Sequence, residues 1–176
     1  VNSGEYKIMG LAPYGEPKYS KIIKDNLINL KMDGTFEINT DFLSYSTDMK
    51  MFNERFCNLF NGQPRENESN LSQKEMDIAK SIQLVTEEAM INLAKRAKKE
   101  TSRENLAMAG GVSLNCVGNG KILKENIFKD IWIHPASGDA GGSLGCALDY
   151  YYNDTINPIK RKFFDKMKGS FLGVDF

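Results

Sequence analysis

Apolar residues recur every three or four positions between Ser72 and Thr101, at Ile78, Ile82, Val85, Ala89, Leu93 and Ala97. That is the period of an α-helix with one buried stripe. Ser72 followed by Glu75 is a capping-box start. The KRAKKE run at 95–100 puts positive charge where the helix dipole favours it and reads as a solvated helix end. A helix of roughly 30 residues spans about 45 Å.

Upstream the pattern is shorter and more broken. Tyr6 to Ala12 reads as a helical turn, ended by Pro13–Gly15, and a second helix runs from about Pro17 with Ile22, Ile23 and Leu27 on one face. Ile28–Met32 and Thr35–Asn39 flank Asp33–Gly34, which predicts a β-hairpin with a two-residue turn. Phe42 to Tyr45 is irregular. Asp48 to Phe60 predicts a short helix carrying a core stripe of Met49, Phe52, Phe56, Leu59 and Phe60, followed by a polar loop over 61–70.

Downstream the period switches twice. Strand Asn105–Ala109, turn and helix Val112–Glu125, strand Asp130–His134 and helix Asp139–Tyr152 imply an α/β class with parallel strands joined by crossovers. Each strand runs into a glycine-rich turn that opens a helix. Gly110 and Gly111 let the backbone approach a ligand closely, the next helix start offers N–H groups to an anion, and Asn115 on its first turn suits a ribose hydroxyl or phosphate. The alternative is a plain strand-to-helix turn with Ser113 as its cap. The segment is neither a Walker A nor a GxGxxG sequence. Ser137 to Ser143 holds Gly138, Gly141 and Gly142 around Asp139, which is either a helix cap or a carboxylate ligand for a divalent metal. Two such turns at the carboxyl ends of neighbouring parallel strands point to nucleotide binding.

Composition narrows the partners. The chain has 176 residues, 41% hydrophobic and 26% charged, enough for one ordinary domain. Its 23 basic and 23 acidic residues cancel, so nothing electrostatic argues for nucleic acid or an anionic membrane. No apolar run reaches the roughly 20 residues of a membrane span. Val1 to Gly15 lacks the charged-then-apolar order of a signal peptide. Cys57, Cys116 and Cys146 are too far apart for a metal or disulfide framework and read as small buried or half-buried thiols in a reduced, cytoplasmic protein. His134, the one histidine, reads as a structural residue at a strand end, and Ser143 as a cap.

Three motifs in order, KIMGLAPYG at 7–15, AGGVSLNCVGNGK at 109–121 and HPASGDAGGSLGCAL at 134–148, resemble the ATP-dependent O-carbamoyltransferases of nodulation and antibiotic tailoring. The closing SFLGVDF resembles the exit of these enzymes towards their YrdC-like domain. The resemblance implies that residues 1–155 are a lobe of an actin/sugar-kinase/Hsp70 (RNase H-like) domain and 156–176 a linker to an absent domain. It implies carbamoyl-adenylate made from carbamoyl phosphate and ATP, then transfer to a hydroxyl of a sugar or natural product. Carried over by motif, Gly110, Gly111, Gly138 and Asn115 contact the adenylate, with Lys7 and Gly10 near the same nucleotide. Asp139 becomes the catalytic carboxylate and ligand of a divalent metal, iron. The family's HxxxH metal pair is not in this sequence, so the chain is expected to be inactive without the remaining lobes. A threonylcarbamoyl transferase, a sugar kinase or a nucleotide-binding module without chemistry are the rival readings.

Overall fold

A computed structural model describes residues 4–45, 48–66 and 68–153, and the segment 156–176 expected to be a linker lies outside them. The described residues are mixed α/β, ordered around one long helix. Helix α1 (Glu5–Leu11) runs into a 3₁₀ turn at Ala12–Tyr14, and α2 (Ser20–Asn26) follows. Strands β1 (Ile28–Leu30) and β2 (Phe36–Ile38) pair antiparallel, with Leu30 opposite Phe36. The hairpin turn is not the two-residue one expected. Gly34 N–H donates to Lys31 O at 3.0 Å and Gly34 has φ +87°, so Met32-Asp33-Gly34 forms a three-residue loop ending in a left-handed glycine.

Helix α3 is shorter than its pattern, only Glu54–Leu59. Asn53 caps it, accepting from the N–H groups of Arg55 and Phe56, while Phe52 bridges Leu43 in extended backbone. Met49 is therefore fully exposed, and Phe56, Leu59 and Phe60 carry the stripe inward, with the two rings 4.9 Å apart.

Helix α4 (Gln73–Thr101) starts at the expected capping box, Ser72 N–H donating to Glu75 at 2.8 Å. Its burial does not follow one apolar stripe. Leu93 is 41% exposed, whereas Asp77, Ser81, Gln83 and Glu87 are buried. The cause is that α4 is packed on several sides. Its first half meets Ile23, Phe60 and their neighbours in one apolar cluster. Its second half, through Met90 and Ala94, meets Ile122 and Phe128 in another.

Strands β3 (Asn105–Met108) and β4 (Asp130–Ile133) are parallel, Asn105 opposite Asp130, and helix α5 (Cys116–Lys124) makes the crossover between them. Helix α6 (Gly142–Asn153) follows β4 and buries no residue among those described. Cys146 on α6 and Cys116 on α5 are exposed, against the expectation of buried thiols, and only Cys57 is buried. No helix among the described residues is long and apolar enough to cross a membrane.

Candidate functional site

Both glycine turns lie past the carboxyl ends of β3 and β4, and hydrogen bonds lock them together. Gly110 N–H donates to Ser137 O at 2.8 Å. Buried Ser113 Oγ lies 2.7 Å from Gly110 O and 2.7 Å from Ser137 Oγ. A hydroxyl has one proton to give, so Ser113 donates to the carbonyl and accepts from Ser137. Gly110 has φ +93°, which a side chain would strain. Gly138 abuts Gly111, since a Cβ on Gly138 would sit 3.7 Å from Gly111 Cα. The first turn continues as a 3₁₀ segment over Gly111–Leu114.

Sequence reasoning gave the cap of the first helix to Ser113. The structure gives it to Asn115, whose Oδ1 accepts from Gly118 N–H at 3.0 Å. Ser113 is instead the rivet between the turns. In the second turn Asp139 opens a 3₁₀ segment, Asp139–Gly141, with no side-chain cap, and its carboxylate is exposed. Ser143 lies inside α6 rather than at its cap.

A cavity of about 630 Å³ opens between α1, the middle of α4 and the two turns. Gly111, Asn115 and Asp139 all line it. The apolar part of its wall includes Met9 and Ile82, with Val112 and Leu114 from the first turn. Gln83 and Thr86 on α4 and Glu5 on α1 add polar groups. A few polar groups in an apolar cleft of this size suit a small molecule. Lys7 and Gly10 do not line it, because α1 turns Glu5, Tyr6, Ile8 and Met9 towards it instead. Gly110 and Gly138 stand behind the wall, shaping the turns.

Gln83 and Glu87 were missed in the sequence. Gln83 donates to Asn115 Oδ1 at 3.1 Å and accepts from Asn115 Nδ2 at 2.9 Å, so the two amides face each other. Gln83 Nε2 also donates to Glu87 Oε1 at 2.9 Å, and Glu87 Oε2 pairs with Lys121. The available signal was polar residues spaced by four, 83 and 87, on a helix packed on several sides. Nearly two turns of α4 before Gln83, Asp77 accepts from Lys18 Nζ, Glu16 N–H and Gln73 Nε2, each at 2.8 Å. Led by the Lys18 bond, these hold its carboxyl well below the usual range, at about 2.

His134 matches its structural reading. Its Nδ1 accepts from Ala136 N–H at 3.0 Å, which shapes the bend into the second turn. Among the described residues no three His, Cys, Asp or Glu side chains gather into a group able to hold a metal. The described residues therefore do not form a metal site by themselves.

Locked glycine turns beyond parallel strands, with a ligand-sized cleft beside them, make an α/β unit with a candidate ligand site. Comparison with known proteins gives the family. The family described as Carbamoyltransferase N-terminus matches residues 1–148, and the chain belongs to it. An uncharacterized protein of Synechocystis sp. is 52% identical over all 176 residues, which are 29% of its own length. Nodulation protein NolO of Bradyrhizobium diazoefficiens is 33% identical over 82% of this chain and 24% of its own length. Nodulation protein NolNO of Sinorhizobium fredii is 34% identical over the same share of the chain and 20% of its own. The chain thus spans less than a third of the length of these relatives.

Proposed function

We propose that this chain is the part of an ATP-dependent carbamoyltransferase that holds carbamoyl-adenylate while its carbamoyl group moves to a hydroxyl of a sugar or natural product. The observation that carries the reading is the convergence of Gly111, Asn115 and Asp139 on one cavity, within a chain of the carbamoyltransferase family. The donor is made from carbamoyl phosphate and ATP elsewhere in the protein. The scaffold on this reading is a lobe of an actin-like domain, completed by residues beyond those described.

In the transfer step the acceptor hydroxyl oxygen bonds to the carbamoyl carbon. The bond from that carbon to the adenylate phosphate oxygen breaks, AMP leaves with the electron pair, and the hydroxyl proton is lost to water. The chain's contribution is to bind and orient. Asn115 donates to an oxygen of the adenylate, and the Gly111 backbone approaches the carbamoyl carbonyl as negative charge builds on it. Gly110 and Gly138 keep that backbone in place, and Lys7 and Gly10 act from α1 beside the cleft. Asp139 would provide one carboxylate donor to a divalent metal, iron in this reading, with its other ligands supplied from beyond the described residues. When bound, such an ion supplies Lewis-acid polarisation.

The test is carbamoyl-phosphate-dependent AMP release by the longest form of the protein that carries this chain. Asp139→Asn is expected to lower it about a hundredfold without moving the thermal midpoint, since Asp139 is exposed. Unchanged turnover in Asp139→Asn would overturn the role of Asp139. ATP and AMP binding without any turnover in the parent protein would reduce the site to a nucleotide-binding module.

A further inference from the structure

Asn115 is held on the cavity wall by three side-chain hydrogen bonds, two of them to Gln83 beside it on the same wall. Its Oδ1 accepts from Gly118 N–H at 3.0 Å and from Gln83 Nε2 at 3.1 Å. Its Nδ2 donates one of two hydrogens to Gln83 Oε1 at 2.9 Å. The second Nδ2 hydrogen is left over, on a residue that lines the cavity. The α5 cap and Gln83 together therefore fix which end of the amide the cavity meets.

Gln83 is 5% exposed, and its orientation is set one step further back. Its Nε2 donates to Glu87 Oε1 at 2.9 Å, and Glu87, 3% exposed, is paired through Oε2 with Lys121 on α5. A carboxylate held against an ammonium offers only acceptors, so it accepts the NH₂ end of Gln83 and rejects the carbonyl end. That leaves the Gln83 carbonyl facing Asn115 Nδ2. The relay closes on itself. Asn115 starts α5, Lys121 lies on α5, and both reach back to α4 four residues apart. A flipped Gln83 would set its carbonyl oxygen against the Glu87 carboxylate and the Asn115 carbonyl, and its NH₂ group against the Asn115 NH₂ group.

We infer that Gln83 is a positioning residue for ligand binding, locked by the Glu87–Lys121 pair so that Asn115 presents an N–H donor to the cavity. This rests on the proposal that the cavity takes an adenylate, and it adds a determinant on α4, outside all three motifs that resemble the family. An N–H donor at this point suits a phosphate, ribose or carbonyl oxygen and disfavours a ligand donor.

A double-mutant cycle tests it, with AMP as the probe and calorimetry on the longest form of the protein. Gln83→Met keeps the length of the side chain and removes both amide contacts. It is expected to raise the Kd for AMP about tenfold while the number of binding sites per chain stays unchanged. A merely structural role would lower the number of competent sites and leave their Kd alone. Asn115→Ala is expected to raise Kd by at least as much, and adding Gln83→Met to it should change nothing more. If Gln83→Met does not fold, Asn115→Asp, which keeps the α5 cap and removes the donor, is expected to weaken AMP binding as strongly. Additive effects in the cycle, or full affinity in Asn115→Asp, would overturn the positioning role. No AMP binding by the parent protein would instead overturn the adenylate reading itself.

Discussion

Single residues here do what their type allows only because of what surrounds them. Asp77 is an acidic residue in the first turns of α4, yet it is buried and collects three donors. Its carboxyl sits at about 2 instead of the ordinary 3.8. A depressed folded value means the group stabilises the protein above its unfolded value and loses that contribution as pH falls towards its folded value. Urea unfolding midpoints between about pH 5 and about pH 2 should therefore fall less steeply in Asp77→Asn than in the parent, with lower stability at neutral pH. An unchanged slope would show that Asp77 has no such partners in solution. Gly15 is a second case. A Cβ there would lie 1.9 Å from Met76 O, a backbone atom of α4 that has no room to retreat. Gly15→Ala is expected to cost about 3 kcal/mol in equilibrium unfolding. The need for glycine at this position was not visible in the motif, because the clash is with a residue 61 positions away.

Among the elements, α4 decides most. Its ends were legible in the sequence, since a capping box and a basic last turn are local signals. Its faces were not. Periodicity assumes one buried side, and α4 has neighbours on several, with α1 and α2 against its first half and α5 against its second. Two substitutions separate the readings. Ile122→Ala, at a side chain 1% exposed in the cluster against α4, is expected to cost about 2–5 kcal/mol. Leu93→Ala, on the stripe that periodicity places inside, is expected to stay within about 0.5 kcal/mol because Leu93 is 41% exposed. Chemical denaturation of both variants checks the pair. The stripe of α3 holds for Phe56, Leu59 and Phe60 but starts later than its pattern, because Asn53 takes the cap and residues before it cannot join the helix.

At the scale of the whole molecule, the chain is short beside its relatives. It spans 29%, 24% and 20% of the three relatives it was compared with. Residues 4–45, 48–66 and 68–153 bring one cavity-lining aspartate to the glycine turns and no metal-holding group. The 176-residue chain on its own is therefore expected to show no carbamoyl-phosphate-dependent AMP release, measured against the longest form of the protein. Turnover by the short chain would mean that these 176 residues contain the whole catalytic apparatus.

The sequence by itself determined the order and kind of the elements, the two glycine turns and the family, because caps, periods, turns and motifs are written in neighbouring residues. It also put Gly110, Gly111, Gly138 and Asn115 forward as adenylate contacts and Asp139 as a metal ligand. Tertiary structure decided that Gly111, Asn115 and Asp139 share a cavity while Gly110, Gly138, Lys7 and Gly10 stay off its wall. It gave Ser113 to the lock between the turns and Asn115 to the cap. It also set Gln83 against Asn115 and Glu87 against Gln83. The lock and the bonds from Gln83 to Asn115 and from Lys121 to Glu87 join residues 24 to 34 positions apart. Only the packing of α4 against α5 and the two turns brings such distant donors and acceptors within hydrogen-bond reach.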